Sequence, residues 1–465
     1  MRGHFSVVSL IRSSVSTLIA MLLAASCTTL PPTTAAQVAA EAAASRSTFS
    51  HELATLKQRE AAFDRAWHLV NDRFYDAGFN GLNWEAIRLR YLPEVERVDS
   101  DNAFFGLLGR MVAELKDSHT RVYTAREYRN RLDSVISTYG LRVAEVDGKV
   151  AIVHVFPDTD AARAGLRKGM IVETINGEKA IERLARLRSD APQDASPERR
   201  LRGIFSRMVA GSANALSLDI DPENRGAIRH YDLRRTDREL PLVVAHSTIE
   251  GNIGYIAFNR FRAQAAAEFG RAIQDLQNTG GLILDLRGNP GGSLGAMLAI
   301  AQNFFPESRL VMTRKERPVD NLGPESAGFA NSRAAPREMR ILGTVNAYQQ
   351  PIAILLDSYS ASSSELLATI LREQRGAAII GRPTCGCVVA VRPNGYRLPA
   401  GGALYVSESG FISPFGSQME GVPMRPDREV ALTLGDLSNG IDRDQVVASE
   451  WLRRQRPGHR MAEEQ

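Results

Sequence analysis

An early part of the chain places its apolar residues at the spacing of amphipathic helices. Between residues 49 and 115 they recur every three or four positions, so that each set falls on one helical face. The clearest sets are Ala66, Leu69, Val70 and Phe74, and then Phe104, Leu107, Leu108 and Met111. A β-prone stretch follows at 120–124, and the pattern predicts a small helical domain over 49–135.

A second region changes to short apolar runs separated by Gly and Asp turns. Residues 150–155 and 170–175 are the clearest runs. Runs of this length between turn residues are typical of strands. We therefore predict a β-rich domain over 136–240.

The largest region, residues 247–455, alternates the two patterns. Its order of strands and helices predicts an α/β fold with parallel strands. Strands are expected at 253–258, 282–286, 352–356 and 377–380, and helices at 265–277, 294–304 and 365–375.

The N-terminus has the pattern of an export signal. Arg2 and Arg12 precede an apolar run that is too short to span a bilayer, and small residues lead directly to Cys27. This resembles a lipoprotein signal, which implies that residues 1–26 are removed, that Cys27 is lipidated, and that the lipid holds the protein at the membrane on the periplasmic side of a bacterium. A soluble periplasmic product and an uncleaved anchor are the alternatives.

Two terminal segments are expected to lie outside the folded domains. Residues 27–48, rich in Thr, Pro and Ala, have the composition of a flexible tether, and residues 456–465 are expected to form a disordered tail.

Composition excludes several classes of protein. With 465 residues, 44% hydrophobic and 24% charged, the chain is long enough for two or three domains and is neither fibrous nor wholly disordered. A net charge of +4 is too balanced to indicate a nucleic acid partner. Only 3 cysteines occur, which excludes a disulfide framework. Cys385 and Cys387 are expected to be oxidised or packed, and a catalytic or metal role is the alternative.

Two strand-to-helix junctions carry the candidate chemistry. Residues 285–292 read Asp-Leu-Arg-Gly-Asn-Pro-Gly-Gly, a glycine loop whose free backbone N–H groups can bind an anion. Residues 357–365 read Asp-Ser-Tyr-Ser-Ala-Ser-Ser-Ser-Glu, and a serine on such a turn exposes its hydroxyl beside the helix dipole. Taken separately, the first could be a phosphate loop and the second a set of helix caps.

Together, the two junctions resemble the core of the C-terminal processing (tail-specific) serine peptidases. The sequence Glu-Gly-Val-Pro at 420–423, with Pro-Asp at 426–427, extends the resemblance, which covers most of the chain. It implies a crotonase-like (ClpP/crotonase) α/β core in which Ser362 is the nucleophile. It also implies an oxyanion hole formed by the N–H of Ser363 and by the glycine loop, at Gly291 or Gly292.

The β-rich region resembles a PDZ domain inserted before this core. The resemblance rests on Tyr139, Gly140 and Leu141, followed by Ala-Ala-Arg-Ala-Gly-Leu at 161–166 and Ile-Asn-Gly at 175–177. It implies that the domain takes up a peptide as an extra strand and binds its terminal carboxylate with N–H groups of 139–141. An ordinary β-rich spacer is the alternative.

One part of the family pattern is missing. Many members pair the serine with a lysine supported by a glutamine, at positions where this chain has Cys387 and Val391. No lysine occurs after Lys315, and arginine cannot serve as a base because it stays protonated. A serine hydroxyl is a weak nucleophile without a base, so another residue must supply one.

His119 is the predicted base. With Ser118 it resembles the Ser-His element of the tricorn-protease branch of the superfamily, in which a late glutamate supports the histidine through the adjacent serine. Glu420 matches that glutamate, and Glu408 is its nearest rival. The resemblance thus implies a site of Ser362, His119 and Glu420 bridged by Ser118. The alternatives are a structural cap for His119 and a surface ion pair for Glu420.

The resemblance implies a serine-type peptidase that cleaves exported proteins or peptides through an acyl-serine intermediate, with no cofactor and no metal. Its partners would be peptide or protein substrates, some of them recognised through free C-termini. Two alternatives stay open. The chain could be a catalytically inactive PDZ-like scaffold of the same fold, or a binder of apolar ligands.

Overall fold

The computed structural model describes residues 54–191, 196–210, 215–239, 241–317 and 337–455. The predicted signal (1–26), the tether (27–48) and the tail (456–465) lie outside the described residues. The helices are α1 (Leu56–Arg73), α2 (Trp84–Tyr91), α3 (Asp101–Ala113), α4 (Ala125–Leu132), α5 (Asp160–Arg163), α6 (Ala180–Ser189), α7 (Pro197–Met208), α8 (Ala263–Asp275), α9 (Leu294–Ala301), α10 (Ser363–Arg375), α11 (Leu434–Ser438) and α12 (Arg443–Arg454). None of these helices is long and apolar enough to cross a bilayer.

The strands fall into five sheets within the described residues. They are β1 (Arg121–Tyr123), β2 (Val135–Thr138), β3 (Leu141–Val146), β4 (Lys149–Val155), β5 (Ile171–Ile175), β6 (Glu178–Lys179), β7 (Ala215–Asp221), β8 (Arg229–Arg234), β9 (Thr236–Glu239), β10 (Val244–Ile249), β11 (Ile253–Phe258), β12 (Leu282–Asp285), β13 (Arg309–Glu316), β14 (Arg337–Ile341), β15 (Ile352–Leu356), β16 (Ala378–Gly381), β17 (Val389–Val391), β18 (Tyr396–Arg397), β19 (Ala403–Tyr405), β20 (Ser407–Ile412) and β21 (Arg428–Glu429).

The N-terminal helices form part of a core that a later segment completes. Thr55 caps α1 by accepting a hydrogen bond from the N–H of Gln58 at 3.2 Å, and Ser100 caps α3 in the same manner. The predicted helices are therefore present. Their apolar faces pack against side chains from the β18–β19 segment, namely Tyr396, Leu398, Leu404 and Val406. Strand β1 joins this segment by pairing with β19, so the chain just before β1 is held firmly in place.

The β-rich region is an antiparallel sheet of order β3-β4-β5-β7-β8, with β6 paired to β5. The strands predicted at 150–155 and 170–175 are β4 and β5. One face of the sheet shares a core with α6 and α7, which contribute Leu184, Leu187, Ile204 and Met208. Within the described residues β3 is an edge strand, and α7 packs beside it.

The α/β region is built on a sheet of order β10-β11-β12-β15-β16-β21. Neighbouring strands from β11 to β21 are parallel, and β10 is antiparallel to β11. Side chains alternate between two faces: Leu282 and Leu284 pack against α8, α9 and α10, whereas Ile283 belongs to the core beneath α12. The prediction of an α/β fold with parallel strands is confirmed.

A second antiparallel sheet, of order β14-β13-β20-β17, covers the same core as α8, α9 and α10. Its inward side chains are Val311, Met312, Ile341 and Phe411. No prediction covered these strands.

The two candidate junctions meet at the carboxyl ends of the adjacent parallel strands β12 and β15. The N–H of Gly288 donates to Asp357 Oδ1 at 2.9 Å and joins the two loops directly. Arg287, in the first loop, anchors that loop through ion pairs with Asp442 at 2.7 Å and Asp444 at 2.8 Å. The topology therefore places the glycine loop next to the serine turn.

Candidate active site

The turn between α3 and β1 presents Ser118 and His119. Asp117 holds this turn, because its Oδ1 accepts hydrogen bonds from the N–H of His119 at 3.1 Å and of Thr120 at 2.7 Å. Its Oδ2 accepts a further bond from the Thr120 hydroxyl at 2.5 Å. The imidazole is thus carried by a backbone turn that has little freedom.

Ser118, His119 and Glu420 form one hydrogen-bonded chain. Ser118 Oγ lies 2.6 Å from His119 Nδ1 and donates to Glu420 Oε2 at 2.9 Å. Glu420 is fixed by two backbone donors, the N–H of Ser118 to Oε1 at 2.8 Å and the N–H of Val388 to Oε2 at 2.7 Å. When Glu420 is ionised, the hydroxyl proton points to it, so His119 Nδ1 must be the protonated nitrogen that donates to Ser118 Oγ. Nε2 then keeps a lone pair, as a general base requires.

Burial sets the protonation states of His119 and Glu420 in this hydrogen-bonded chain. Burial, followed by the charges of Arg121 and other nearby guanidinium groups, lowers the pKa of His119 to about 3, so the ring is neutral at pH 7. Burial raises the pKa of Glu420 to about 7, although the backbone N–H of Val388 and the Ser118 donors lower it. Ionisation of Glu420, rather than of His119, is therefore the titration that falls near neutral pH.

Ser362 lies on a strained turn between β15 and α10. Its φ of 56° and ψ of −117° are uncommon for a residue other than glycine. The strain is held by its N–H, which donates to Cys387 O at 2.9 Å and to Glu365 Oε2 at 3.0 Å. A side chain on such a strand-to-helix turn faces outward at the start of the helix, as in nucleophile elbows.

The structure connects both Ser362 and the Ser118–His119–Glu420 hydrogen-bonded chain to residues 386–388, but it does not join Ser362 to His119. Cys387 O accepts the Ser362 N–H, and the adjacent Val388 N–H binds Glu420. Among the described residues, no hydrogen bond links the Ser362 hydroxyl to His119. Catalytic hydrogen bonds are often long or poorly aligned before substrate binds and shorten in the substrate complex.

The glycine loop lies against the serine turn. A Cβ on Gly291 would come within 2.8 Å of Ser362 Cβ and 2.9 Å of the Ser363 nitrogen, so no side chain fits there. The Gly291 N–H already donates to Asn289 Oδ1 at 2.9 Å. In the described part of the chain, the N–H groups of Gly292 and Ser363 have no protein acceptor. Of the two predicted glycines, Gly292 thus offers the free donor and Gly291 the close contact.

Comparison with known protein families gives two matches. Residues 252–430 match the peptidase family S41 model, and residues 56–113 match the model of the tricorn protease C1 domain. The protein is a serine peptidase with a peptidase S41 domain at residues 252–430.

Relatives of the peptidase have C-terminal processing in their names. It is 27% identical over 380 residues to carboxyl-terminal-processing peptidase 3, chloroplastic, of Arabidopsis thaliana, covering 78% of this chain and 67% of that one. It is 26% identical over 383 residues to the carboxyl-terminal-processing protease of Synechocystis sp., covering 79% of each. The structure of mature CPAF complexed with lactacystin aligns with a TM-score of 0.61 over 86% of this chain and 97% of that one, at 13% identity. At that identity the likeness shows the fold alone.

Glu408, the rival of Glu420, lies elsewhere in the peptidase. Its carboxylate accepts a hydrogen bond from the Tyr396 hydroxyl, near Arg73 and Arg392. It makes no hydrogen bond with Ser118 among the described residues, so Glu420 is the carboxylate that reaches the relay.

The predicted peptide-binding loop begins strand β3. Tyr139 and Leu141 are buried in the core of the β-rich region. The Gly140 N–H donates to Thr138 Oγ1 at 3.0 Å, so a peptide carboxylate at this amide would have to displace that hydroxyl. Gly140 has a φ of +96°, and a Cβ there would lie 2.1 Å from Thr159 Oγ1. The tight turn at this position therefore requires glycine.

Cys385 and Cys387 form a disulfide and are both buried beside Ala361. This agrees with the expectation that the pair is oxidised or packed. A thiol at the position of the family lysine is therefore not available as a base. Residue 387 contributes its backbone instead, through the carbonyl that accepts the Ser362 N–H.

Sequence reasoning assigned no role to Glu365, the first carboxylate of α10. This buried side chain accepts hydrogen bonds from the N–H of Ser362 at 3.0 Å, of Gly386 at 2.8 Å and of Cys387 at 3.0 Å, and from the Thr384 hydroxyl. Burial raises its pKa, whereas these donors lower it. The available signal was the spacing Ser-x-x-Glu, in which a glutamate reaches back to the N–H of the cap residue.

Proposed function

We propose that this serine peptidase cleaves peptide bonds through an acyl intermediate on Ser362, with His119 as the general base. The observation that carries the proposal is the hydrogen-bonded chain from His119 through Ser118 to Glu420. Nε2 of His119 would accept the Ser362 hydroxyl proton as Oγ attacks the scissile carbonyl carbon. The imidazolium would then be stabilised by Glu420 through the Ser118 hydroxyl, and would give its proton to the leaving amine. Water would then attack the acyl carbon while His119 Nε2 takes its proton, and the imidazolium would return that proton to Ser362 Oγ as the carboxylic acid product leaves.

The oxyanion of the tetrahedral intermediate would bind between the N–H groups of Ser363 and Gly292. This assignment is supported by the lack of a protein acceptor for either group among the described residues, and by the position of Ser363 at the start of α10. Gly291 would keep the two loops in contact.

The finer architecture is part of the same proposal. The S41 domain would be a crotonase-like core, and residues 136–240 a PDZ-like domain that adds a peptide to the open edge of β3, beside α7. Peptides with a free terminal carboxylate should then bind more tightly than their amides. Equal affinities would argue against recognition of the carboxylate at 139–141.

We also propose that the protein is exported and lipidated at Cys27, on the pattern of residues 1–26. Mass spectrometry of membrane-extracted protein should find an acylated peptide that begins at Cys27. A mature terminus elsewhere would contradict the anchor.

A mixed peptide library tests the proposed reaction. The wild type should cleave members of the library, and an active-site serine probe should label Ser362, whereas Ser362→Ala should do neither. If the wild type shows no turnover and no labelling, the alternative of a non-catalytic peptide-binding scaffold replaces the proposal.

A further inference from the structure

Four arginines from three different elements lie around the candidate active site. Arg121 begins β1, just after His119, Arg142 lies on β3, and Arg199 and Arg202 lie one turn apart on α7. We refer to these four residues as the arginine cluster.

Two contacts place the cluster beside the active-site loops. The Arg142 guanidinium carbon lies 4.0 Å from the ring centroid of Tyr359, in the turn that leads to Ser362. Arg199 Nη2 donates to the Asp117 carbonyl oxygen at 2.8 Å, at the turn that carries His119. The cluster therefore touches both the nucleophile turn and the base turn.

None of the four guanidinium groups forms an ion pair with a carboxylate of the described residues. The Arg202 side chain, although largely buried, has neither a hydrogen bond nor an ion pair there. Arg287 shows the contrast, because it pairs with Asp442 and Asp444. Glu365, a buried carboxylate whose charge acts on Arg202, already accepts hydrogen bonds from backbone and hydroxyl donors.

The uncompensated positive charge lowers the pKa values of neighbouring groups. Burial, then the positive charges of Arg121 and Arg142, lowers the pKa of Arg202, while Tyr359 and Glu365 raise it. Arg121, Arg199 and Arg202 also belong to the charges that lower the pKa of His119. Arg121 is exposed, whereas Arg142, Arg199 and Arg202 are partly buried. Partly buried like charges without a counter-ion are costly, and an anion bound among them would relieve that cost.

We propose that the arginine cluster is a substrate subsite that binds a carboxylate of the peptide close to the scissile bond. The inference rests on the proposed function, since a peptidase substrate brings carboxylates either as Asp and Glu side chains or as a free C-terminus. Arginine suits this role because its planar donors bind both oxygens of a carboxylate. A bound carboxylate would also offset the positive charge around His119, so acidic substrates would be both bound and turned over better than neutral ones.

Matched peptides test the subsite. Starting from one cleaved library peptide, three forms would be compared: one neutral with a C-terminal amide, one with a free C-terminus, and one amidated with Asp in place of Asn beside the scissile bond. The wild type should prefer at least one carboxylate form by about tenfold or more in kcat/KM, as charged hydrogen bonds typically contribute. The form preferred identifies the source of the carboxylate.

The variants R202Q and R199Q should remove most of that preference, and R202K should keep part of it. R271Q, which removes an exposed arginine from α8, is the matched control and should keep all of it. A wild type without preference, or a preference that survives in R199Q and R202Q, would overturn the subsite; in the second case the carboxylate is read elsewhere, such as at residues 139–141.

Binding separates failure of the subsite from failure of the proposed reaction. Fluorescence anisotropy with the same three peptides, labelled, would be measured on the Ser362→Ala protein with and without R202Q. A carboxylate preference that R202Q abolishes supports the subsite even if the wild type never turns over. Equal binding of all three peptides overturns it even if the wild type is an active peptidase.

Discussion

Two glutamates accept hydrogen bonds from the backbone of residues 386–388, and they differ in their other partners. Glu365 accepts hydrogen bonds from three backbone N–H groups, including that of Ser362, and from one threonine hydroxyl. Glu420 accepts hydrogen bonds from two backbone N–H groups and from the Ser118 hydroxyl, which is also hydrogen-bonded to His119. The same functional group therefore fixes the backbone in one case and extends the proposed proton relay in the other.

This difference follows from the partners rather than from burial. A carboxylate whose donors are mostly amides has no titratable neighbour and can only position them. A carboxylate that accepts from a hydroxyl next to an imidazole sets the direction of that hydroxyl and the tautomer of the ring. We therefore assign Glu365 to the geometry of Ser362 and Glu420 to the basicity of His119.

The largest effects should come from the two ends of the proposed reaction. Ser362→Ala and His119→Ala should each lower turnover by roughly three or more orders of magnitude, because nucleophile and base act as a unit. The double variant should be little slower than either single variant. Additive losses in the double variant, measured on the same peptide, would show that His119 does not act through Ser362.

The contact between the glycine loop and the Ser362 turn should be nearly as sensitive. Gly291→Ala places a methyl group 2.7 Å from Ala361 O and should lower kcat by about a hundredfold or more, since it displaces an oxyanion loop. Gly295→Ala, on α9, is the control. Its new Cβ would lie no closer than 3.7 Å to another atom, Ser293 Oγ, and kcat should stay unchanged. Wild-type kcat in Gly291→Ala would remove this loop from the site.

Variants of the two glutamates should differ in their effects on stability and on activity. Glu365→Gln turns an amide donor toward backbone donors in a buried site and should lower the free energy of unfolding by about 2–4 kcal/mol. Glu420→Gln, in a less buried position, should cost less stability, while kcat falls at least about tenfold because the ring loses its orientation. Denaturant unfolding and steady-state kinetics check both, and the reverse ranking of stabilities would refute the assignment.

The disulfide in residues 385–387 should have the smallest effect. Cys385→Ser with Cys387→Ser should change the free energy of unfolding by only about 1 kcal/mol, since so short a loop constrains the unfolded chain little. Turnover should stay within a few-fold of wild type, because the backbone of residue 387, not its sulfur, contacts Ser362. If Cys387→Ser abolished turnover while His119→Ala kept it, the sulfur and not the imidazole would be the active group.

The parts of the fold that local pattern encodes could be predicted from the sequence. Strand β15 lies at the residues expected, and α10 begins two positions earlier than expected because its serines belong to the first turn. The sheet formed by β13, β14, β17 and β20 could not be predicted in this way. Its strands pair across long stretches of chain and carry charged residues such as Arg314 and Glu316, which hide the alternation of apolar residues.

Only part of the candidate site could likewise be predicted from the sequence. Ser118, His119 and Glu420 could be proposed from motif resemblance, and the fold brings them into hydrogen-bond contact. The role of Glu365 could not, because it depends on a loop that returns from residues 384–387 to meet α10. The arginine cluster was equally hidden, since its members come from β1, β3 and α7 and meet only in the folded chain.

The most direct test of the relay is the pH dependence of kcat/KM, or of the rate at which a serine probe labels Ser362, in the wild type and in Glu420→Gln. Below its pKa of about 7, Glu420 is protonated and donates to Ser118, which reverses the hydroxyl and leaves the proton on His119 Nε2. The wild-type rate should therefore fall as the pH drops through about 7, well above the pKa of about 3 of His119. Glu420→Gln should be slower than the wild type and should lack this acid limb between about pH 5 and 8. An acid limb near pH 7 that persists unchanged in Glu420→Gln would contradict the relay.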